Sequence, residues 1–311
     1  MRFALIACRP TPTNNALVGV TALPTVWESM TPEQALDELV SGDVALGRLD
    51  VLPTLDGIDD GLWALGALAA RGVLVLNDPA ALLATHDKLL TARLLRRHCV
   101  RHPETWHIRS GRPAPVAERP VVLKPRFGSW GREIYRCDDH ASLRSALERV
   151  RDTTWYQRHG ALVQELVSPQ GYDLRVLVAS GRVVGAVFRI AAPGEWRTNI
   201  ALGAVRRQVA DPPPEASALA VAAARATGAS LAGVDLLPDG RGGWIVVELN
   251  GAVEFTGEYA AWGDVFVETA AELACAALDR VASVCHGRLT EQVPGESAAT
   301  LFRARRRSSV G

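Results

Sequence analysis

Between residues 233 and 250 the chain holds two apolar runs, Gly233-Val234-Asp235-Leu236-Leu237 and Trp244-Ile245-Val246-Val247-Glu248-Leu249, separated by the turn-forming stretch Asp239 to Gly243. Apolar, Val-rich runs either side of a Gly/Asp turn fold as a β-hairpin. Each run carries one carboxylate among Val and Leu, the two lie 13 residues apart, and Asn250 follows Glu248 by two positions, on the same face by strand alternation. A charge inside an otherwise apolar strand is costly unless a metal or an opposite charge neutralises it. The pattern predicts an oxygen-rich site of Asp235, Glu248 and Asn250, suited to Mg²⁺ bridging phosphates. The alternative is the solvent face of an edge hairpin.

The 311 residues are enough for about two domains with a cleft between them. At the start, Phe3 to Cys8 reads as a buried strand, and Thr31 and Pro32 open a helix with Leu36, Leu39 and Val40 on one face. Val44 to Leu46 and Val51 to Leu52 are strand candidates, Leu62 to Ala70 a helix closed by Gly72, and Val73 to Leu76 another strand. Residues 1–85 are therefore expected to form a small Rossmann-like α/β domain. A helix over Asp87 to His98 follows. The runs 121–123, 133–136, 161–165, 174–178 and 183–189 then read as strands, interrupted by a helix over Ser142 to Val150. An Ala-rich helix starts at Pro212 to Pro214 and ends at Gly228, and Asp264 to Arg280 forms the last helix. This mixed order is α+β rather than a second doubly wound sheet. Beyond about Ser283 the chain is polar and aperiodic, and residues 282–311 are expected to be a disordered tail.

Lys plus Arg number 34 and Asp plus Glu number 34, so bulk charge gives no reason to expect nucleic acid or an anionic membrane as partner. The apolar run at Phe3 to Cys8 is too short for a membrane span. Five scattered cysteines without a Cys-x-x-Cys pair suit reduced thiols in a cytoplasmic protein. The seven histidines show no metal spacing, and surface roles are expected for all of them.

Two further segments carry chemistry. In Val121-Val122-Leu123-Lys124-Pro125-Arg126-Phe127-Gly128-Ser129-Trp130-Gly131 a strand delivers a lysine to a glycine turn whose N–H groups can cover phosphate. It is not a Walker loop, because that pattern is absent and a strand follows; a glycine hairpin with a surface lysine is the other reading. Downstream come Gln164-Glu165-Leu166-Val167, then Asp173-Leu174-Arg175, Arg189, and Trp196-Arg197-Thr198-Asn199. The first can offer main-chain hydrogen bonds to an adenine edge, Asp173 can accept from ribose hydroxyls, and the arginines can form a cationic wall for triphosphate and carboxylate.

In this order, and together with His86-Asp87-Lys88-Leu89-Leu90 ahead of them, the segments resemble the ATP-grasp superfamily, in particular its RimK-type α-L-glutamate ligase branch. The resemblance implies an ATP-grasp fold over residues 86–281, with a lid subdomain at about 101–167, preceded by the small α/β domain. It implies nucleotide contacts from Lys88, Lys124, Gly128, Ser129, Gly131, Glu165, Leu166, Val167, Asp173, Arg175, Arg197, Thr198 and Asn199. Arg189 and Arg197 are the implied catalytic residues. Asp235, Glu248 and Asn250 are the implied ligands of Mg²⁺, expected as two ions bridged by Glu248, with Mn²⁺ able to substitute. The implied reaction is ATP-dependent joining of a carboxylate to an amine through an acylphosphate. An amino acid or the carboxyl terminus of a peptide or carrier protein is the expected substrate, and a homo-oligomer is left open.

Two departures bear on the substrate. After Asn199 the chain reads Ile200-Ala201-Leu202-Gly203-Ala204, without the paired glycines usual in RimK-type enzymes. After Asn250 it reads Gly251-Ala252-Val253-Glu254-Phe255, similar to the Asn-x-x-x-Glu-Phe run of LysX-type ligases. A non-catalytic ATP-binding regulatory or scaffold protein is the alternative, and a plain kinase a third reading.

Overall fold

Four parallel strands, β1 (Phe3–Ile6), β2 (Trp27–Met30), β3 (Val44–Gly47) and β4 (Leu74–Leu76), form the first sheet in the order β2-β1-β3-β4. The computed structural model describes residues 1–291 apart from 22–24, 53, 112–117 and 262, with side chains described as far as residue 282. The strands are joined by α1 (Pro12–Val18), α2 (Pro32–Glu38) and α3 (Leu62–Ala70). Helix α2 starts as its sequence requires: the Thr31 hydroxyl accepts from Gln34 N, and the Gln34 side chain reaches back to Thr31 N. Helix α1 and strand β2 were not expected. The run expected as a strand at Val51 to Leu52 makes only an isolated bridge from Val51 to Ile58, because the Asp56-Gly57 turn lies within it.

After α4 (Pro79–His86) and α5 (Lys88–Arg97) comes an antiparallel sheet of β5 (Thr105–Ile108), β6 (Val121–Pro125), β7 (Tyr135–Cys137) and β8 (Ala161–Glu165), ordered β5-β8-β6-β7. Its helices α6 (His140–Val150) and α7 (Thr154–His159) bury Leu143, Val150 and Trp155 against Leu123 and Val163. One residue of the first unit joins this core: Leu55, in the left-handed region at φ +62°, is buried there, and next to it Asp56 meets Arg158 at 3.2 Å.

The third sheet is also antiparallel and runs β11-β10-β9-β12-β13, from β9 (Tyr172–Ala179), β10 (Arg182–Ile190), β11 (Val205–Gln208), β12 (Leu231–Pro238) and β13 (Trp244–Asn250). Strand alternation divides its residues. Leu174, Val176, Val178, Val234 and Leu236 share a core with the alanines of α8 (Pro214–Thr227). On the other face Leu177, Ala179 and Leu231 share a core with α9 (Val265–Glu291) and with Phe3, Leu5 and Leu76 of the first sheet. Further along the strands this second face turns charged, with Asp173 and Arg175 on β9, Arg189 on β10 and Asp235 on β12. Helix α9 continues to Glu291, past the expected end at Arg280, so the start of the expected tail at 282 falls inside a helix. No proline interrupts the chain between Asp264 and Pro294. The remainder of the expected tail, 292–311, lies outside the described residues.

Candidate active site

The charged end of the third sheet is a cross-strand row. Glu248 stands opposite Asp235, Asp235 opposite Arg175, Asp173 opposite Arg189, and Arg189 opposite Arg206. Between this row and the second sheet lies a cavity of about 500 Å³, and every site residue singled out in the sequence lines it. The structure thus brings together, from strands, loops and a helix end, groups up to 162 residues apart, from Lys88 to Asn250.

Lys124, at the end of β6, is buried, and its Nζ donates to Gln164 Oε1 at 2.7 Å. Gln164 in turn donates to Thr105 Oγ1 at 2.8 Å. Burial pushes the Lys124 ammonium down to about 8, with the Glu248 charge opposing the shift and the Lys88 charge adding to it. Lys88 opens α5 and reaches two walls at once: its Nζ donates to the Gly128 carbonyl and pairs with Glu248 Oε1 at 3.0 Å. Asp87 holds this helix start in place. Its carboxylate caps the N–H of Leu89 at 3.0 Å and grips Arg126 through two nitrogens, Nε at 2.7 Å.

The glycine loop is pinned from the opposite side. Gly128 and Gly131 lie at φ +125° and +71°. Arg197 Nη1 donates to the Gly131 carbonyl at 3.0 Å, and the Asn199 amide occupies the space that a Cβ on Gly131 would need. Arg197 is itself oriented by Glu195, through Nε at 3.0 Å and Nη2 at 2.8 Å, hydrogen bonds that pull the Glu195 carboxyl down to about 2. Ser129 Oγ is buried beside the cavity with no hydrogen-bond partner among the described residues.

The arginines expected to face phosphates are engaged within the sheet. Arg175 donates to Asp235 from Nε at 2.6 Å and Nη2 at 2.7 Å, and Arg189 Nη2 adds a third contact at 2.9 Å. Burial alone would raise the Asp235 pKa; the two guanidiniums prevail and bring it down to about 2. Asp173 accepts from Arg189 through two nitrogens, Nε at 2.8 Å, and from Thr198 Oγ1 at 2.5 Å. The three-donor metal set read from the sequence therefore divides. Both oxygens of Asp235 are held by arginine, whereas among the described residues Glu248 pairs with the Lys88 ammonium alone. Asn250 Nδ2 is buried without a partner among the described residues, and turning the amide over places Oδ1 there. A hard divalent cation fits the Glu248–Asn250 end, where an ammonium now balances the carboxylate and phosphate oxygens can complete the shell. Among the described residues no group of three or more His, Cys, Asp or Glu is placed to hold a metal.

One histidine is placed differently from expectation. His86, read as a surface histidine, is buried on the cavity wall with Nδ1 2.8 Å from the Leu82 carbonyl, and burial pushes its imidazole toward the neutral form. Arg48 is interior too: it binds Asn14 Oδ1 at 2.9 Å, the Val253 carbonyl at 2.8 Å and Glu254 Oε1 at 3.2 Å, tying β3 to the loop after β13. Residues missed in the sequence are those that position others, Asp87, Arg126 and Glu195, and one more cavity arginine, Arg206 on β11. Only Asp87 left a signal, a good N-cap residue ahead of an amphipathic helix.

The profile of the RimK-like ATP-grasp domain matches residues 85–272. A probable alpha-L-glutamate ligase of Aeromonas salmonicida is 33% identical over 232 residues, 73% of this chain and 74% of that protein. An alpha-aminoadipate–LysW ligase, LysX, of Sulfurisphaera tokodaii is 33% identical over 184 residues, 58% of this chain and 64% of that protein. Among solved structures, a D-alanine–D-alanine ligase from Bacillus anthracis complexed with ATP superposes with a TM-score of 0.64 at 16% identity, over 90% of this chain and 98% of that one. A RimK domain ATP-grasp protein from Sphaerobacter thermophilus gives 0.61 at 20% identity, over 88% and 99%. These two share the fold with this chain.

Proposed function

This chain belongs to the RimK-like ATP-grasp family, and from that premise we propose that it is an ATP-dependent carboxylate–amine ligase whose substrate is an amino acid or a peptide or carrier-protein carboxyl terminus. The reading rests chiefly on one cavity that holds two lysines and a glycine loop on one wall and Glu248 with Asn250 on another. The relatives named for glutamate and aminoadipate ligation support an acidic amino acid as one substrate.

The adenine lies against the Glu165–Val167 segment at the end of β8, where backbone groups can read its edge. Lys124 and Lys88 neutralise phosphate oxygens from the second sheet and from the start of α5, and the loop from Gly128 to Gly131 covers them and excludes water. When bound, Mg²⁺, proposed as two ions with Mn²⁺ able to replace them, supplies charge neutralisation of the phosphates; Glu248 and Asn250 would hold it. A carboxylate oxygen of the substrate attacks the γ-phosphorus, the bond to the β–γ bridging oxygen breaks, and ADP leaves. The amine then attacks the acyl carbon, loses a proton and expels phosphate. Arg197, anchored by Glu195, sits at the lid seam, and Arg189, fixed by Asp173 and Asp235, holds its positive charge on the sheet side for the oxyanion.

The test is release of ADP and phosphate when a carboxylate and an amine are supplied together, with trapping of the acylphosphate by hydroxylamine as a hydroxamate. ATP hydrolysis unchanged by Glu248→Ala, or tight ATP binding without turnover across an amino-acid panel, would overturn it.

A further inference from the structure

Arg175, Arg189 and Arg197 each meet a carboxylate through two nitrogens. Arg206 lines the same cavity and is paired differently. Among the described residues its one ion pair is a 3.3 Å contact from Nη1 to Glu258, a residue half exposed to solvent, and its Nε is buried with no acceptor. A half-buried guanidinium with an orphaned donor, facing a cavity, lacks an anion. Its neighbour across the ladder is Arg189, which already engages Asp173 and Asp235, so neither of those carboxylates is left over to pair with Arg206.

The row of charges indicates which anion. Arg206 lies on β11, at one edge of the sheet, and Glu248 and Asn250 lie on β13, at the other. Four strand spacings separate them, roughly 19 Å across the sheet. The phosphates that Lys88, Lys124 and the Glu248–Asn250 end receive are therefore at the far side of the cavity. Arg206 faces the substrate side, where the chain lacks the paired glycines and continues through Gly203-Ala204-Val205 into β11.

We infer that Arg206 docks the unreacting carboxylate of the amino-acid or peptide substrate, selecting an anionic substrate over its amide. The inference deepens the ligase reading above and rests on it for the reaction but not for the binding site.

The experiment uses the full chain, wild type, Arg206→Gln and Arg206→Lys, with dicarboxylic L-amino acids and dipeptides containing them, each supplied as the diacid and as the two monoamides, so that a carboxylate able to react is always present. Calorimetric titration into the ADP–Mg²⁺ complex and amine-dependent ADP release are measured together. The expected result is that wild type prefers acids to amides by about tenfold to a hundredfold, and that Arg206→Gln loses this preference through a raised dissociation constant and KM for the acids. ATP affinity stays as in wild type, and Arg206→Lys recovers part of the preference. A preference kept by Arg206→Gln, no difference between acid and amide in wild type, or loss of ATP affinity in the variant overturns the inference. Arg206-dependent binding of the acids without any turnover leaves the docking site standing and overturns the ligase reading alone.

Discussion

Lys88 Nζ lies 3.0 Å from Glu248 Oε1, so the first residue of α5 and the charged end of β13 meet across the cavity. An ammonium there balances a carboxylate whose ordinary counter-charge, in a phosphate-binding site, is a divalent cation. Glu248→Gln keeps the shape and removes that charge. ADP release is expected to fall by about a hundredfold or more, with the Mg²⁺ and Mn²⁺ dependences both shifted to higher concentration. Steady-state rates across a metal titration measure this, and unchanged metal dependence would remove Glu248 from the metal's shell.

Lys124 trades stability for binding. Its ammonium titrates at about 8 in the folded protein against 10.5 in water, so the unfolded chain holds more protons between those values and stability rises with pH across that window. At neutral pH the buried charge costs roughly 3 kcal/mol. Lys124→Met is expected to recover about 1–2 kcal/mol of this at pH 7, the loss of the donor to Gln164 offsetting the rest. The gain disappears by pH 10.5, and nucleotide affinity falls. In the wild type, nucleotide affinity is expected to decline as pH rises through about 8, where the Lys124 ammonium is lost. Urea unfolding and nucleotide titration at several pH values check both signs.

Asp235 joins the buried Arg189 and the partly buried Arg175, and removing its charge leaves both guanidiniums short of a counter-ion. Asp235→Asn is expected to destabilise the protein by about 3–5 kcal/mol, read as a lower urea midpoint. The carboxyl titrates at about 2 when folded, below its ordinary 3.8, so its contribution is fully present above pH 3.8 and is lost as pH falls toward 2. A variant as stable as wild type would show that Asp173 alone neutralises Arg189.

Much of this site could be read in advance because strand alternation is strict. Asp235 and Glu248 were expected on adjacent strands, and the ladder pairs them; that Arg175 and Asp173 of β9 join the same row is what the structure adds. What could not be read were partners. Arg175 and Asp235 are 60 residues apart, and nothing in either run says that the guanidinium will turn to the carboxylate instead of the cavity. Strands β5 and β11, Thr-Trp-His-Ile and Val-Arg-Arg-Gln, are short and mixed, so periodicity is silent there. Leu55 is a lone apolar residue in a polar turn, and its burial in the second sheet's core depends on a docking that local sequence does not encode. His86 looked like a helix-end surface residue because its burial comes from the cavity wall and not from its own helix.

Gly131 offers a test of the glycine loop that leaves every charge in place. Its φ of +71° costs an L-residue about 1 kcal/mol or more. A Cβ there would also lie 2.6 Å from Asn199 Oδ1, closer than real contacts allow, and 3.0 Å from Leu202 Cδ1, a tight contact. Gly131→Ala is therefore expected to turn the Asn199 side chain away and, through the strained φ, to loosen the loop's seat on the Arg197–Asn199 segment, weakening the 3.0 Å bond from Arg197 to the Gly131 carbonyl. The loop belongs to the second sheet's unit and Asn199 to the segment between β10 and β11, so the damage falls on closure and not on either core. Nucleotide affinity is expected to drop about tenfold, and hydrolysis of ATP without ligation to rise, because a loop that seats poorly admits water. The urea midpoint should move by about 1–2 kcal/mol equivalent, the cost of the left-handed φ. Nucleotide titration beside the ratio of product amide to phosphate measures the two effects, and wild-type affinity with a wild-type ratio would show that the loop does not close through this contact.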